Sequence, residues 1–167
     1  MKWNLLIVLL LMAACASAPP SAPPADPCVF LTSNDIEAVQ GEAPVSSHAT
    51  SHASGDTTVS QCFYLMREQS KSVSVEITTS PNIHKTWEQQ FEPDEKKEEK
   101  ESNETHALEI KDLGTDAFWG GNRVSGSLYL LTRDGIFKIS IGGAGDIATK
   151  MEHTKALARA ILKTRRQ

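Results

Sequence analysis

Leu128 to Arg133 and Ile136 to Ile141 are two strongly apolar runs separated by Asp134-Gly135. Asp-Gly between two such runs is the strongest short-range signal of a β-hairpin, and it commits the chain to an antiparallel sheet. A two-residue turn at Asp134-Gly135 sets Leu130 opposite Ile139 and Leu128 opposite Ile141. Lys138 and Ser140 then fall on the other face. The aliphatic face needs a cover, and the next segment supplies one. Gly142-Gly143-Ala144-Gly145 ends the strand, and Asp146 can cap a helix to about Lys163. Ile147, Met151, Ala158, Ile161 and Leu162 form its expected buried stripe, with Leu157 near the edge. Lys163, Arg165 and Arg166 suit the C-terminal end of its dipole.

The remaining segments extend this plan. Thr32 with Asp35 three residues on reads as a capping box, Leu31 can staple onto Ile36, and Gly41 supplies the stop. Glu42 to Thr58 is Ser, Thr, His, Ala and Gly with no apolar period, which reads as an exposed loop. Strands are expected at Gln61 to Arg67 and Ser72 to Thr78. In the second, Val73, Val75 and Ile77 alternate with polar residues. A helix starts near Ile83, with Trp87 and Phe91 on one face, and Pro93 interrupts it. Asp94 to Glu104 is a mixed-sign charged run, read as a solvated helix or loop. Leu108-Glu109-Ile110 and Ala117-Phe118-Trp119 complete the strands. The expected fold is α+β, an antiparallel sheet of about five to six strands flanked by helices.

The N-terminus reads as an address. Lys2 precedes an unbroken apolar stretch from Leu5 to Met12 and then Ala13-Ala14-Cys15-Ala16-Ser17-Ala18, the layout of a secretory signal peptide. The uncharged run is shorter than the roughly 20 residues that a membrane span needs. Ala16 to Pro27 carries five prolines in twelve positions, a semi-rigid spacer of roughly 35 Å. The expected organisation is 1–14 signal peptide, 15–27 tether and 28–167 a single domain. The net charge of −4 and the mild pI exclude a basic nucleic-acid binder.

Chemistry-bearing residues are few. Cys28 and Cys62 form an even pair in a chain read as exported, and a disulfide between them would tie the first helix to the first strand. The alternative is a pair of thiols for metal or redox work, against which stand the absence of Cys-x-x-Cys and the apolar flanks. His48 and His52 have helical metal-ligand spacing, in a segment that is poor helix material. Gly143 to Ala148 matches a dinucleotide fingerprint in outline, but the chain continues too briefly to provide a return strand or a ribose-binding acid. No nucleophile elbow occurs. Trp119-Gly120-Gly121-Asn122 is either a tryptophan packed at the core rim or, with Asn122, an exposed contact for a partner.

Met12-Ala13-Ala14-Cys15 resembles the lipobox of bacterial lipoproteins, with methionine where leucine is usual. The resemblance implies cleavage before Cys15, acylation of that cysteine and, with Ala16 following it, residence in the outer membrane. Competing cuts after Ala18 or after Ala16 would leave no lipid. Pro27-Cys28-Val-Phe-Leu-Thr32, Gln61-Cys62-Phe-Tyr64 and Leu113-Gly114-Thr-Asp116-Ala117-Phe118, with the hairpin and closing helix, are similar to a family of small uncharacterised bacterial lipoproteins. That likeness implies a PsbP-like sandwich and a Cys28–Cys62 bridge, with no catalytic residues and no cofactor. The functional expectation is a non-enzymatic, lipid-anchored envelope protein. It would present its domain in the periplasm to a protein or small ligand, and not to nucleic acid. The alternative is a periplasmic metal-binding protein using His48, His52 and the acidic segment 94–104.

Overall fold

The computed structural model describes residues 26–91, 108–122, 124–143 and 145–165. A 3-10 turn at Pro27–Phe30 leads into α1 (Ser33–Gln40), the hairpin of β1 (Ser46–Ser54) and β2 (Thr57–Leu65), and β3 (Val73–Thr79). After α2 (Ile83–Phe91) come β4 (Leu108–Glu109), β5 (Ala117–Gly121), β6 (Ser125–Thr132), β7 (Gly135–Gly142) and α3 (Ile147–Thr164). The fold is α+β, with one open antiparallel sheet in the order β1-β2-β3-β7-β6-β5-β4.

Seven strands stand where five to six are expected, and β1 is the one the pattern hides. All nine of its residues are exposed, so no apolar period marks it. It exists because Gly55, at φ 57°, closes a tight turn and the backbone pairs with β2 from Ser54↔Thr57 to Ser46↔Leu65. Glu42 to Thr58 is therefore mostly hairpin rather than loop.

One face of the sheet carries Cys62, Tyr64, Val73, Val75, Leu128, Leu130, Phe137, Ile139 and Ile141. It is covered by Ile36 of α1 and by Leu157, Ala158 and Ile161 of α3. The first helix forms as expected, with both bonds of the Thr32–Asp35 capping box and a left-handed Gly41. At the start of α3, Asp146 accepts from the Thr149 N–H, also as expected. The buried stripe of α3 is rotated from the expected one. Ile147 is exposed, Met151 and Leu162 are half-buried, and Lys150 and Thr154 are buried beside Leu157. Two hydrogen bonds explain how polar groups occupy that line. Lys150 Nζ donates to the Gly145 carbonyl at 3.0 Å, and the Thr154 hydroxyl donates to the Lys150 carbonyl at 3.0 Å.

The hairpin of β6 and β7 forms two residues out of the expected register. Leu130 faces Phe137 and Leu128 faces Ile139, so the turn residues are Arg133 and Asp134. A shift of two keeps every side chain on its predicted face. The glycine serves the sheet rather than the turn. A Cβ at Gly135 would sit 2.4 Å from the Thr78 carbonyl oxygen of β3. Thr132 builds the turn instead, its hydroxyl donating to the Gly135 carbonyl and accepting from the Asp134 N–H.

Cys28 and Cys62 stand at disulfide distance, with Cα atoms 5.0 Å apart. The bond ties the 3-10 turn to β2. Beside it the Tyr64 hydroxyl donates to the Cys28 and Leu31 carbonyls at 3.1 and 3.3 Å. Burial pushes the Tyr64 phenol up to about 12.

Candidate functional site

The second face of the sheet is covered by α2 at one end. The spacing of Ile83, Trp87 and Phe91 puts them on one side of this short helix, against Leu131, Ile136, Phe118 and Tyr129. Phe91 stacks on Phe118 with ring centroids 5.0 Å apart, and Trp87 lies 4.4 Å from Phe91 and 5.7 Å from Phe118. Lys138 sits 5.6 Å over the Tyr129 ring.

Between α2 and residues 109–118 the surface opens into a cleft of about 570 Å³. Trp87, Phe118, Leu131 and Ala117 give it apolar walls. His84 and Glu88, one helical turn apart on α2, border it on one side, and Glu109, Lys111, Thr115 and Asp116 on the other. Three carboxylates against one lysine make it net acidic. Glu109 and Lys111 pair with each other at 3.4 Å, which leaves Glu88 and Asp116 as the carboxylates that set its sign.

The loop at 111–116 is held from two directions, so the cleft has a fixed wall. The Leu131 N–H donates to the Asp116 carbonyl at 2.9 Å, and the Thr115 hydroxyl donates to the Leu131 carbonyl. On the other side, Asp112 accepts from Lys155 at 2.9 Å and Arg159 at 2.7 Å, both on α3. The Lys155 hydrogen bond holds the Asp112 carboxyl below the usual aspartate range. The cleft is of mixed character, apolar side chains at its base and polar groups around its border, and a preformed cleft that combines the two can hold a small ligand. Its chemistry suits an apolar body bearing a positive group.

The residues singled out from the sequence lie elsewhere. Cys15, the tether up to residue 25 and the whole acidic run 94–104 fall outside the described residues. His48 and His52 are on a strand, not a helix. They point to the same face about 13 Å apart, since a strand rises about 3.3 Å per residue. One ion cannot bind both imidazoles within a single chain. Among the described residues no group of three or more His, Cys, Asp or Glu side chains converges on one point.

Trp119 is buried, 1% exposed, so its ring is no surface for a partner. It packs against Gly121 and Gly126, where a Cβ would meet the indole at 2.7 and 2.8 Å. Its Nε1 is buried with no hydrogen-bond partner among the described residues. Asn122 is exposed, and its side chain accepts from the Val124 and Ser125 N–H groups at 2.8 and 3.1 Å, which closes the β5–β6 turn.

The cleft residues went unnoticed in the sequence because they come from three separated segments. The one local signal was His84 and Glu88 on the helix that carries Trp87. No protein-family model, curated protein or solved structure matches the chain. Among the described residues no helix is long and apolar enough to cross a membrane.

Proposed function

We propose that this chain is an exported, lipid-anchored binding protein whose domain takes up a small organic cation in the cleft between α2 and the 109–118 segment. The observation that carries the reading is the cleft itself: apolar walls from Trp87, Phe118 and Leu131, with the acidic groups Glu88 and Asp116 at its border. An amine or guanidinium on an aromatic or aliphatic stem satisfies both parts, because aromatic faces and carboxylates each favour cations. The signal-like N-terminus, Cys15 and the proline-rich spacer support placing this domain at a membrane surface, and the Cys28–Cys62 pair fits an oxidising compartment. Cleavage before Cys15, its acylation and the outer-membrane address rest on the lipobox likeness. The reading is a binding one; among the described residues that line the cleft, the one hydroxyl, that of Thr115, donates to the Leu131 carbonyl and serves to hold the wall.

Trp87 provides the readout. The full chain is titrated with phenethylamine and, as the charge-reversed control, phenylacetate, following tryptophan emission. Saturable change with the amine alone, lost in Trp87→Phe and weakened several-fold in Asp116→Asn, is the expected result. No response to either probe, or equal responses to both, overturns the assignment of the cleft.

A further inference from the structure

The two edges of the sheet are unequal. The β4 edge is two residues long, whereas β1 offers nine residues exposed on both faces, with nothing paired to its outer side among the described residues. Proteins blunt such an edge with lysine, proline, a bulge or shortness, because it is a template for another strand. From Ser46 to Ser54 there is no lysine, no proline and no interruption of the register.

The sequence of this edge is close to a palindrome. About Thr50, Ser46 mirrors Ser54 and His48 mirrors His52, while Ser47 and Ala49 mirror the equally small Ala53 and Ser51. A two-fold contact uses the same patch on both copies, so residue i must suit residue j in both directions. This strand meets that condition about its own centre.

The hydrogen-bond pattern agrees with the same centre. Ser54 and Thr57 flank the two-residue turn Gly55-Asp56 and form a bonded pair. Alternation then turns the backbone groups of Ser46, His48, Thr50, His52 and Ser54 toward β2, and those of Ser47, Ala49, Ser51 and Ala53 outward. Antiparallel pairing about Thr50 sets Ala49 opposite Ser51 and Ser47 opposite Ala53 of the second copy. Those are the outward residues, and they make about eight new backbone bonds.

We infer that β1 is the interface of a two-fold homodimer, pairing antiparallel with β1 of a second copy about Thr50 and joining two seven-stranded sheets into one. His48 then lies directly opposite His52 of the second copy, on the face that carries Phe63. The same-face neighbours on β2, Val59, Gln61 and Phe63, carry no charge. The nearest charged positions by register are Glu76, opposite Gln61 on β3, and Asp56 in the turn. The inference is independent of the cleft and of the lipid anchor.

Thr50 faces its own copy in a non-bonded pair, with Cα atoms about 4.5 Å apart, within reach of a disulfide. Thr50→Cys in the full chain should therefore cross-link under mild oxidation, read as a doubled mass on a non-reducing gel. Wild type sets the background from the native cysteines. Asp56→Cys, in the adjoining exposed turn, should link about tenfold less, because its pairs lie beyond the reach of an S–S bond. Adding Ala49→Pro removes an outward N–H and should abolish the link, while leaving the β1–β2 bonds in place. Sedimentation avoids any new cysteine: wild type should run as a dimer, and Thr50→Lys, which sets like charges across the axis, as a monomer. Equal linking of Thr50→Cys and Asp56→Cys overturns the interface. So does a wild-type chain that sediments as a monomer, in which case the edge awaits a strand of another protein or none.

Discussion

Removing the Cys28–Cys62 bond should be the most costly change that leaves the chain's composition nearly untouched. The two cysteines are separated by 34 positions. Releasing a loop of that length gives the unfolded chain about 3.8 kcal/mol of extra conformational freedom at room temperature. Cys62 is fully buried, so replacing it also leaves a small void, which places Cys28→Ala/Cys62→Ala at about 4–5 kcal/mol below wild type. Locally the loss falls on the 3-10 turn at Pro27–Phe30. It would then be held to β2 chiefly by the two Tyr64 hydrogen bonds and by Leu31 in the core. Urea unfolding followed by circular dichroism measures the effect. The midpoint should fall and the slope m should rise, because the unfolded variant is no longer cross-linked and exposes more surface. On heating, the loss corresponds to about 8–20 °C, at about 2–4 °C per kcal/mol for a domain of this size. A loss below about 1 kcal/mol with an unchanged slope would show that the bond does not restrain the unfolded chain, and would refute the reasoning.

Gly142→Ala should destabilise by about 2 kcal/mol in the same urea assay, since its Cβ would sit 2.1 Å from the Ser70 carbonyl oxygen; Gly120→Ala meets nothing within 4 Å and should stay within about 0.5 kcal/mol. Tyr64 is protonated more tightly in the folded state, so its stabilisation is complete below the ordinary value of 10 and is lost as pH rises toward about 12. Thermal melts should fall over that window in wild type and more shallowly in Tyr64→Phe. Asp112 has the opposite sign. Its lowered carboxyl stabilises above the ordinary aspartate value of 3.8, and that contribution disappears as pH falls through the depressed value. The gap between wild type and Asp112→Asn in melting temperature should therefore narrow in acid.

What could be read from the sequence follows from what side chains reveal. The capping box at Thr32, the alternation of Val73, Val75 and Ile77, and the Asp146 cap are local rules, and each element stands where its rule puts it. The Asp134-Gly135 pair located the hairpin but not its register. The glycine answers a crowding contact with Thr78 on a strand more than fifty residues earlier. β1 was invisible because its side chains bury nothing; only its backbone is paired. Once it is a strand, His48 and His52 lose their helical spacing and with it the shared ligand geometry. Lys150 and Thr154 mislead any apolar stripe search, since backbone carbonyls satisfy them inside the core. The cleft is assembled from α2, the 109–118 segment and β6, so His84 and Glu88 on α2 mark one side of it and nothing local marks the rest.

The central claim, an exported domain held at a membrane through Cys15, is tested most directly by the intact mass of the membrane-extracted native protein, before and after reduction. The account predicts a chain that begins at Cys15, carries added acyl mass, and is two hydrogens lighter before reduction than after. A chain that begins at Met1, or a bare one that begins at Ser17, would contradict the anchor, and a mass unchanged by reduction would contradict the bridge.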